Sequence, residues 1–371
     1  MKKIIWIIVM LVILGLVVWS GQGVDKPATN TEPIKIGSIL ILSGEGATWG
    51  EAAKNGIDLA IEEVNTAGGI SGRMLEVIHE DDRSNPQQAI SALNKLTDLN
   101  GTKFIIGPNW SNTGVALIEP IKQKGVVVIS PSLGVAEFNE ASDFIFNIWP
   151  HDFILSQHLA DYVYKQGHRR VAVVGANDVW VRDQTKAFIN KFKELGGTVE
   201  FVYEPVVTVT DVRTELAKIK NNKNIDALVL TTDGYSLTVL AAKQARELGI
   251  TLPFYNITVD KKILADCSQF CEDMIFPTFL TPTKNFEDKY KTKFNRDVEI
   301  GADSAYDAVM MLVRAFKETN STDPQQVQIY LNKIRTYNGV SGSLTADGMG
   351  AFTKPYLIKK VQNSESVTVE E

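Results

Sequence analysis

Short apolar runs alternate with amphipathic stretches along most of the chain, beginning at about residue 34. The runs are rich in β-branched residues and lack a polar position at every second residue, which is typical of strands buried on both faces of a sheet. We predict strands at 34–42, 75–79, 104–106, 126–129, 171–174, 199–203 and 227–230. We predict helices near 87–99, 112–124, 152–166, 183–195, 211–221 and 236–248.

Two further helices are predicted from apolar residues spaced three or four apart, which places them on one helical face. The first face is formed by Ala53, Ile57, Ala60, Ile61 and Val64. The second is formed by Ala305, Val309, Leu312, Val313 and Phe316. Alternation of strands and helices predicts parallel sheets covered by helices on both sides. A chain of 371 residues with this many strands favours two doubly wound lobes over one sheet.

The N-terminus carries a compartment signal. Lys2 and Lys3 precede an apolar run at 4–19, and small or polar residues follow at 20–23. This order is typical of a secretory signal peptide, and the length of the run also allows a retained membrane anchor. Both alternatives place the rest of the chain, after a polar linker at 24–33, outside the cytoplasm.

The chain has two cysteines, Cys267 and Cys271. Outside the cytoplasm such a pair predicts a disulfide, although two unpaired thiols remain the alternative. A metal site is not expected, because the histidines are distant in sequence from the cysteines and from one another.

Composition and motifs exclude several classes of function. A net charge of −6 with interspersed signs argues against nucleic-acid binding, which needs a basic face. The chain lacks Gly-x-Ser-x-Gly, His-Glu-x-x-His and the phosphate-binding Gly-x-x-x-x-Gly-Lys. Residues 44–50, GEGATWG, approach a dinucleotide-binding loop but have the wrong spacing. We therefore expect a non-enzymatic protein without a cofactor.

The candidate site follows from the expected sheets, because doubly wound folds bind ligands beyond the carboxyl ends of their strands. This rule selects the loops at 43–50, 107–113, 130–136, 175–182, 231–235 and 256–261. Trp49 offers a flat apolar surface, and Ser111 stands at a predicted helix start, where a carboxylate is stabilised. Asp233 or Asp260 could meet a ligand cation, or equally cap the helix that follows.

Four segments carry a resemblance to a known family. They read IKIGSILILSGEGATWGEAAKNGIDLAIEEVN, AGGISGRMLEVIHEDDRSNPQQAI, FIIGPNWSNTGVALIEPIKQKGVVVISPS and, near the end, SGSLTADGMG. From about residue 34 to about residue 358 the chain resembles the type I periplasmic binding proteins of the leucine/isoleucine/valine-binding group. The resemblance implies two α/β lobes joined by three crossovers, a hinge that closes on a ligand, and an ABC transporter permease as partner.

The resemblance also implies domain boundaries. We expect lobe 1 at 34–151 and 278–340, lobe 2 at 152–277 and 341–360, and a polar tail at 361–371. A monomer is the expectation for a clamp that must open and close. The predicted function is an extracytoplasmic solute-binding protein of an ABC importer, and an extracellular sensor of the same fold is the alternative.

The same resemblance assigns roles to site residues. It implies that Ser111 and the segment 132–134 hold an amino-acid carboxylate, while Trp49 and Trp180 cover the ligand. Gly134 stands where the family has threonine, and Thr258 where it has the acid that meets the ammonium. Either Asp233 or Asp260 takes that role, or the ligand is not an α-amino acid. The predicted ligand-binding residues are Trp49, Ser111, Asn112, Ser132, Leu133, Gly134, Trp180, Asp233, Tyr235, Thr258 and Asp260.

Overall fold

The computed structural model of the protein describes residues 32–44, 46–151, 153–232 and 235–370. The predicted signal or anchor at 1–23 and most of the linker lie outside these ranges. Within them, no helix combines the length and the apolar character needed to cross a membrane.

The first part of the chain builds a five-stranded parallel sheet with the strand order β2-β1-β3-β4-β5. Its strands are β1 (Ile34–Leu40), β2 (Leu75–Asp81), β3 (Phe104–Ile106), β4 (Val127–Ser130) and β5 (Ile145–Asn147). The helices between them are α1 (Ala47–Thr66), α2 (Pro86–Asn94), α3 (Ser111–Lys124) and α4 (Ala136–Glu140). A π-helical turn, Lys95–Leu99, extends α2.

Crossing into lobe 2, the chain forms a second sheet that is mainly parallel. Its strands are β6 (Arg170–Val174), β7 (Thr198–Tyr203), β8 (Ala227–Leu230), β9 (Phe254–Asn256) and β10 (Ile275–Phe279). Its helices are α5 (Phe153–Lys165), α6 (Val179–Glu194), α7 (Arg213–Asn221), α8 (Tyr235–Glu247) and α9 (Lys261–Cys267). A short 3-10 helix, Ser268–Cys271, follows α9.

The chain then returns to lobe 1 with three helices, α10 (Lys284–Phe294), α11 (Ala302–Thr319) and α12 (Pro324–Leu331). A small antiparallel sheet follows, made of β11 (Thr336–Gly339), β12 (Gly342–Ala346) and β13 (Phe352–Thr353). The chain ends in lobe 2 with β14 (Tyr356–Gln362) and β15 (Glu365–Glu370). The full order of the second sheet is β15-β14-β10-β9-β8-β6-β7.

Each sheet is covered on both faces by apolar clusters, as the uninterrupted apolar runs predict. The two predicted helical faces, on α1 and α11, pack within one cluster of lobe 1, which buries all ten of their apolar residues. The prediction of two α/β lobes built on parallel sheets is confirmed.

The structure places three segments differently from the expected domain boundaries. Residues 341–353 belong to lobe 1, because Leu344 and Phe352 are buried in its core and Ala351 bridges Asn147 at the end of β5. The expected polar tail is part of lobe 2: β15 pairs with β14 along its length, and Val361 is fully buried there. Residues 278–279 also lie in lobe 2, within β10.

The described chain passes between the lobes at three places, 148–151, 280–283 and 354–355. The Leu280 amide donates to the Pro355 carbonyl at 3.1 Å, which joins the second crossover to the third. The ring of Trp149 meets the ring of Phe279 edge to face, with 5.4 Å between centroids. Lys354 Nζ lies 5.0 Å from the centroid of the Trp149 ring and 3.4 Å from Asp303 Oδ2. The hinge is therefore one packed cluster of side chains rather than three independent crossover segments.

Cys267 and Cys271 form a disulfide between the end of α9 and the 3-10 helix, and both side chains are fully buried. Their Cα atoms lie 5.6 Å apart, a separation that a disulfide spans readily. The bond closes a very short loop, so it reduces the conformational entropy of the unfolded chain only modestly.

We expect the double substitution Cys267→Ala/Cys271→Ala to lower the free energy of unfolding by about 2 kcal/mol. Urea unfolding followed by circular dichroism measures the difference. Wild-type protein treated with a reductant is the control and should show a loss in the same direction. Equal stability of the oxidised wild type and the double variant would show that the bond has no stabilising effect.

Candidate functional site

A cavity of about 140 Å³ lies in the cleft between the lobes, beyond the carboxyl ends of several strands of both sheets. Lobe 1 contributes Trp49, Asn109, Trp110, Ser111, Ser132, Trp149 and Ile300. Lobe 2 contributes Leu155, Trp180, Gln184, Ile257, Thr258, Asp260, Ile263, Pro277, Thr278 and Phe279. The walls are mostly apolar and aromatic with a few polar groups, which is typical of small-molecule sites.

The first turn of α1 brings Trp49 to the cavity. A Cβ atom on Gly50 would lie 1.8 Å from the carbonyl oxygen of Ile41, so only glycine lets the helix begin this close to the end of β1. Trp49 then meets Trp110 edge to face, with 6.0 Å between ring centroids. These two rings form an aromatic corner on lobe 1.

The loop between β3 and α3 brings the start of a 14-residue helix to the cavity. The loop contains a cis peptide bond between Gly107 and Pro108, and Gly107 has a φ of 122°, which favours glycine. Trp110 occupies the N-cap position and supplies no side-chain cap. The amide groups of the first turn, next to Ser111, therefore present the positive end of the helix to the cleft.

Hydrogen bonds hold the polar groups of lobe 1 in place. The Asn109 side-chain oxygen accepts from the Ile41 amide at 2.9 Å, and the Ser132 hydroxyl donates to the Asn109 carbonyl at 3.2 Å. The Ser130 hydroxyl donates to the Pro108 carbonyl at 2.7 Å. Asn109 Nδ2 is buried and has no hydrogen-bond partner among the described residues.

On lobe 2 the start of α6 presents two residues to the cavity. Asp178 caps the helix by accepting from the amides of Trp180 and Val181, so the helix begins here. Trp180 and Gln184 are four residues apart and therefore share a helical face. Gln184 is fully buried, and its Oε1 accepts from the Ser156 hydroxyl at 2.7 Å. Its Nε2 has no partner within the described part of the chain.

Asp260 is the only acid among the described residues that line this cavity. It is the N-cap of α9, where its Oδ1 accepts from the Ile263 amide at 2.7 Å. Burial raises the pKa of Asp260 above its usual value, although backbone hydrogen bonds oppose the shift. Its neighbour on lobe 1, Glu299, also has a raised pKa, again chiefly because of burial.

Polar contacts join the two lobes at the outer part of the cleft, next to a second chamber lined by Asn112, Asp178 and Glu299 among others. Asn112 Nδ2 on α3 donates to Asp178 Oδ2 at 3.1 Å. Lys261 Nζ on lobe 2 lies 3.6 Å from a carboxylate oxygen of Asp297 and of Glu299 on lobe 1. The structure thus has its lobes in contact across the cleft.

The structure brings together six of the predicted ligand residues, and all six line the cavity: Trp49, Ser111, Ser132, Trp180, Thr258 and Asp260. Asn112 lines the outer chamber instead. Leu133 and Gly134 do not line the cavity: Leu133 is fully buried in the lobe 1 core, where its carbonyl accepts from Asn147. Asp233 lies outside the described residues, and so does the side chain of Tyr235.

Sequence reasoning missed several residues that line the cavity, chiefly Asn109, Trp110, Trp149, Gln184 and Phe279. Asn109 and Trp110 lie in the loop 107–113, which the strand-end rule selects. Trp110, next to Ser111, could have been recognised there as a second aromatic residue beside Trp49. Trp149 lies just after β5, and Phe279 is the last residue of β10, two strands that the apolar pattern did not reveal. Gln184 could have been found from its spacing of one helical turn from Trp180.

No group of three or more histidine, cysteine or acidic side chains in the described ranges is placed to hold a metal ion. None of the described residues that line the cavity resembles an activated nucleophile, because their polar groups are amides, hydroxyls and one capping acid. The arrangement is suited to binding by hydrogen bonds and ring contacts.

Residues 33–365 match the sequence pattern of the periplasmic binding protein family, and the chain belongs to that family. A Leu/Ile/Val-binding protein homolog 2 of Brucella abortus (strain 2308) is 26% identical over 356 residues, which cover 91% of this chain and 92% of the relative. The resemblance stated from sequence is therefore confirmed.

Two solved structures have the same fold. The branched-chain amino acid transporter substrate-binding protein LivJ of Streptococcus pneumoniae, solved with isoleucine, is 25% identical, has a TM-score of 0.82, and is matched over 91% of this chain and all of its own. A solute-binding protein of an ABC transporter from Rhodopseudomonas palustris BisB5, solved with 3,4-dihydroxybenzoic acid, is 20% identical with a TM-score of 0.81. That alignment covers 92% of this chain and 96% of the other. These relatives are binding proteins, which agrees with the prediction of a non-enzymatic protein.

Proposed function

We propose that this protein is the extracytoplasmic solute-binding component of an ABC importer and that it captures a small polar carboxylate between its lobes. The observation that carries the proposal is the cavity itself, which both lobes line at the carboxyl ends of their strands. The Leu/Ile/Val-binding relative and the isoleucine-bound LivJ support the transport role. The basic and apolar N-terminal segment supports a location outside the cytoplasm.

The geometry of the hinge supports ligand capture by closure of the two lobes. Because three short crossovers connect the lobes, rotation at these segments opens the cleft without disturbing either core. Closure brings Ser111 of lobe 1 and Gln184 of lobe 2 to opposite sides of one cavity. The start of α3 receives the carboxylate, and the aromatic walls cover the remainder of the ligand.

A thermal-shift screen of amino acids, amides and aromatic carboxylates tests ligand capture. A ligand at one hundred times its Kd is expected to stabilise the protein by about 2.7 kcal/mol and to raise the unfolding midpoint by several degrees. Small-angle scattering with the same ligand should show a smaller radius of gyration as the lobes close. A screen without any stabilising ligand would contradict capture in this cleft.

The importer role is tested separately, with uptake of the ligand that the screen identifies. A strain that lacks this protein should lose high-affinity uptake, and the wild-type chain should restore it. Ser111→Ala, expected to bind more weakly, should restore uptake only at higher solute concentration. Unchanged uptake in the deletion strain, with binding intact in vitro, would count against the importer role.

A further inference from the structure

The chain has six tryptophans, two of them in the N-terminal 31 residues, and the remaining four all line the cleft cavity. They come from four separate loops and helices, so their convergence is a property of the site rather than of one segment. Trp49 and Trp110 form one aromatic corner, and Trp149 forms another with Phe279. Trp180 packs between clusters of both lobes. Flat, polarisable walls of this kind favour a flat aromatic ligand over a branched aliphatic one.

The size of the cavity agrees with a single ring. Its volume of about 140 Å³ is close to that of engineered protein cavities, about 150 Å³, that accept one benzene molecule. The outer chamber adjoins it beyond Trp49 and Trp110, which line both spaces. The aromatic part of the ligand therefore fits in the inner cavity, with its polar groups at the ends.

Two buried amide groups mark where those polar groups lie. Asn109 Nδ2 on lobe 1 and Gln184 Nε2 on lobe 2 are buried and have no partner among the described residues. In each case the side-chain oxygen is already occupied, by the Ile41 amide and by the Ser156 hydroxyl. An unsatisfied buried donor destabilises a protein, so a ligand that accepts a hydrogen bond from both amides recovers that loss.

The cavity offers little to a ligand ammonium group. Asp260, the only acid lining it in the described ranges, already accepts from the Ile263 amide. Thr258, which also lines the cavity, is neutral. Among the described residues of the cavity, an α-ammonium group would therefore find no carboxylate that is free of other hydrogen bonds, and burial of the ammonium without such a partner is unfavourable.

We infer that the ligand of this cleft is a monocyclic aromatic carboxylate without an ammonium group and with a second polar substituent opposite its carboxylate. The carboxylate lies at the start of α3, next to Ser111 and Asn109 Nδ2, and the second substituent accepts a hydrogen bond from Gln184 Nε2. This inference rests on the proposed function, because it concerns the solute captured in that cleft.

Matched ligand pairs test the two halves of this inference, with tryptophan fluorescence and calorimetry on the purified protein as readouts. Phenylacetate and L-phenylglycine differ only in the ammonium group, and phenylacetate should bind at least tenfold more tightly. Benzoate and 4-hydroxybenzoate differ only in the second polar group, and 4-hydroxybenzoate should bind about tenfold more tightly. Each bound carboxylate should change the fluorescence, because the tryptophans of the described chain surround it.

Gln184→Met removes the lobe 2 donor at similar volume and should reduce the preference for 4-hydroxybenzoate over benzoate to about one. Gln328→Met, a buried glutamine of α12 outside the cavity, is the matched control and should keep the preference. If Gln184→Met loses the preference for 4-hydroxybenzoate and Gln328→Met keeps it, general destabilisation is not the cause. If Gln184→Met does not fold, the two wild-type ligand pairs decide the inference by themselves.

The opposite outcomes are distinct. L-phenylglycine or L-leucine binding as tightly as phenylacetate would overturn the ligand class and leave the solute-binding function in place. Equal affinity of the wild type for benzoate and 4-hydroxybenzoate would overturn the role of Gln184. If none of these carboxylates binds, the ligand class is wrong, and if the thermal-shift screen also finds no ligand, the proposed function fails with it.

Discussion

The free energy of unfolding of the wild-type protein is expected to fall as the pH rises from about 4 to about 7. Replacing Asp307 by asparagine is expected to make this fall smaller. Asp307 lies on α11 and is almost fully buried, with both carboxylate oxygens 3.1 Å from the Val340 amide. Burial and the neighbouring Asp303 raise its pKa to about 7, against the opposing effects of Lys354 and the Val340 hydrogen bond.

The sign follows from the raised pKa. Between the unfolded value of 3.8 and about 7, the folded protein binds a proton at Asp307 that the unfolded chain has already released. Stability from this group is therefore complete below about pH 4 and is lost as the pH rises through about 7. A shift of this size corresponds to as much as about 4 kcal/mol. Asparagine cannot titrate and keeps an acceptor for the Val340 amide.

Urea unfolding of the wild type and of Asp307→Asn, measured in steps from pH 4 to pH 8, checks this result. The stability of the variant should fall less with increasing pH, and the two proteins should differ most above pH 7. Asp288→Asn, an exposed aspartate of α10, is the control and should leave the slope unchanged. Parallel slopes for wild type and Asp307→Asn would show that Asp307 titrates at an ordinary pH in the folded protein.

Removing Trp49 and Trp180 together is expected to weaken ligand binding by well over tenfold. The two side chains approach the cavity from opposite lobes, so each contributes ring contact that the other cannot replace. Truncation of a large aromatic side chain at the centre of a binding site commonly costs 2 kcal/mol or more. Because the tryptophans lie on different lobes, the double variant also loses apolar contact that favours closure.

Isothermal titration of Trp49→Ala/Trp180→Ala with the ligand that binds the wild type measures the loss. Tyr330→Ala, an aromatic truncation on α12 outside the cavity, is the matched control and should bind normally. Circular dichroism of the double variant separates weakened binding from unfolding. Unchanged affinity in a folded double variant would place the ligand elsewhere in the cleft.

Much of the fold could be predicted because its signals are local. In lobe 1, the strands β1, β3 and β4 are visible as apolar runs, and the buried faces of α1 and α11 are visible as periodic apolar positions, because these apolar side chains pack in the core. The strands β5 and β9 were not predicted, because each has three residues and ends in a polar asparagine, whereas the three-residue β3 is wholly apolar. The final strand β15 has a polar sequence because it lies at the edge of its sheet.

The site was predicted less completely, for a different reason. The strand-end rule selects loops, and it found Trp49, Ser111 and Trp180 because they stand directly after strands or at helix starts. It could not find Gln184, which lines the cavity from within a helix. Nor could it show that Leu133 is buried in the core rather than directed to the cleft, since that depends on how the chain turns after β4.

Trp149 is at once a wall of the cavity and a member of the packed hinge cluster. Under the proposed function, ligand recognition and the stiffness of the hinge depend on the same side chain, and a substitution of Trp149 is expected to change both together. Substitutions that change the accepted solute without changing how easily the lobes open would be confined to cavity residues other than Trp149. In evolutionary terms, Trp149 is a position where a new specificity would be difficult to reach without also changing the rate at which the clamp works.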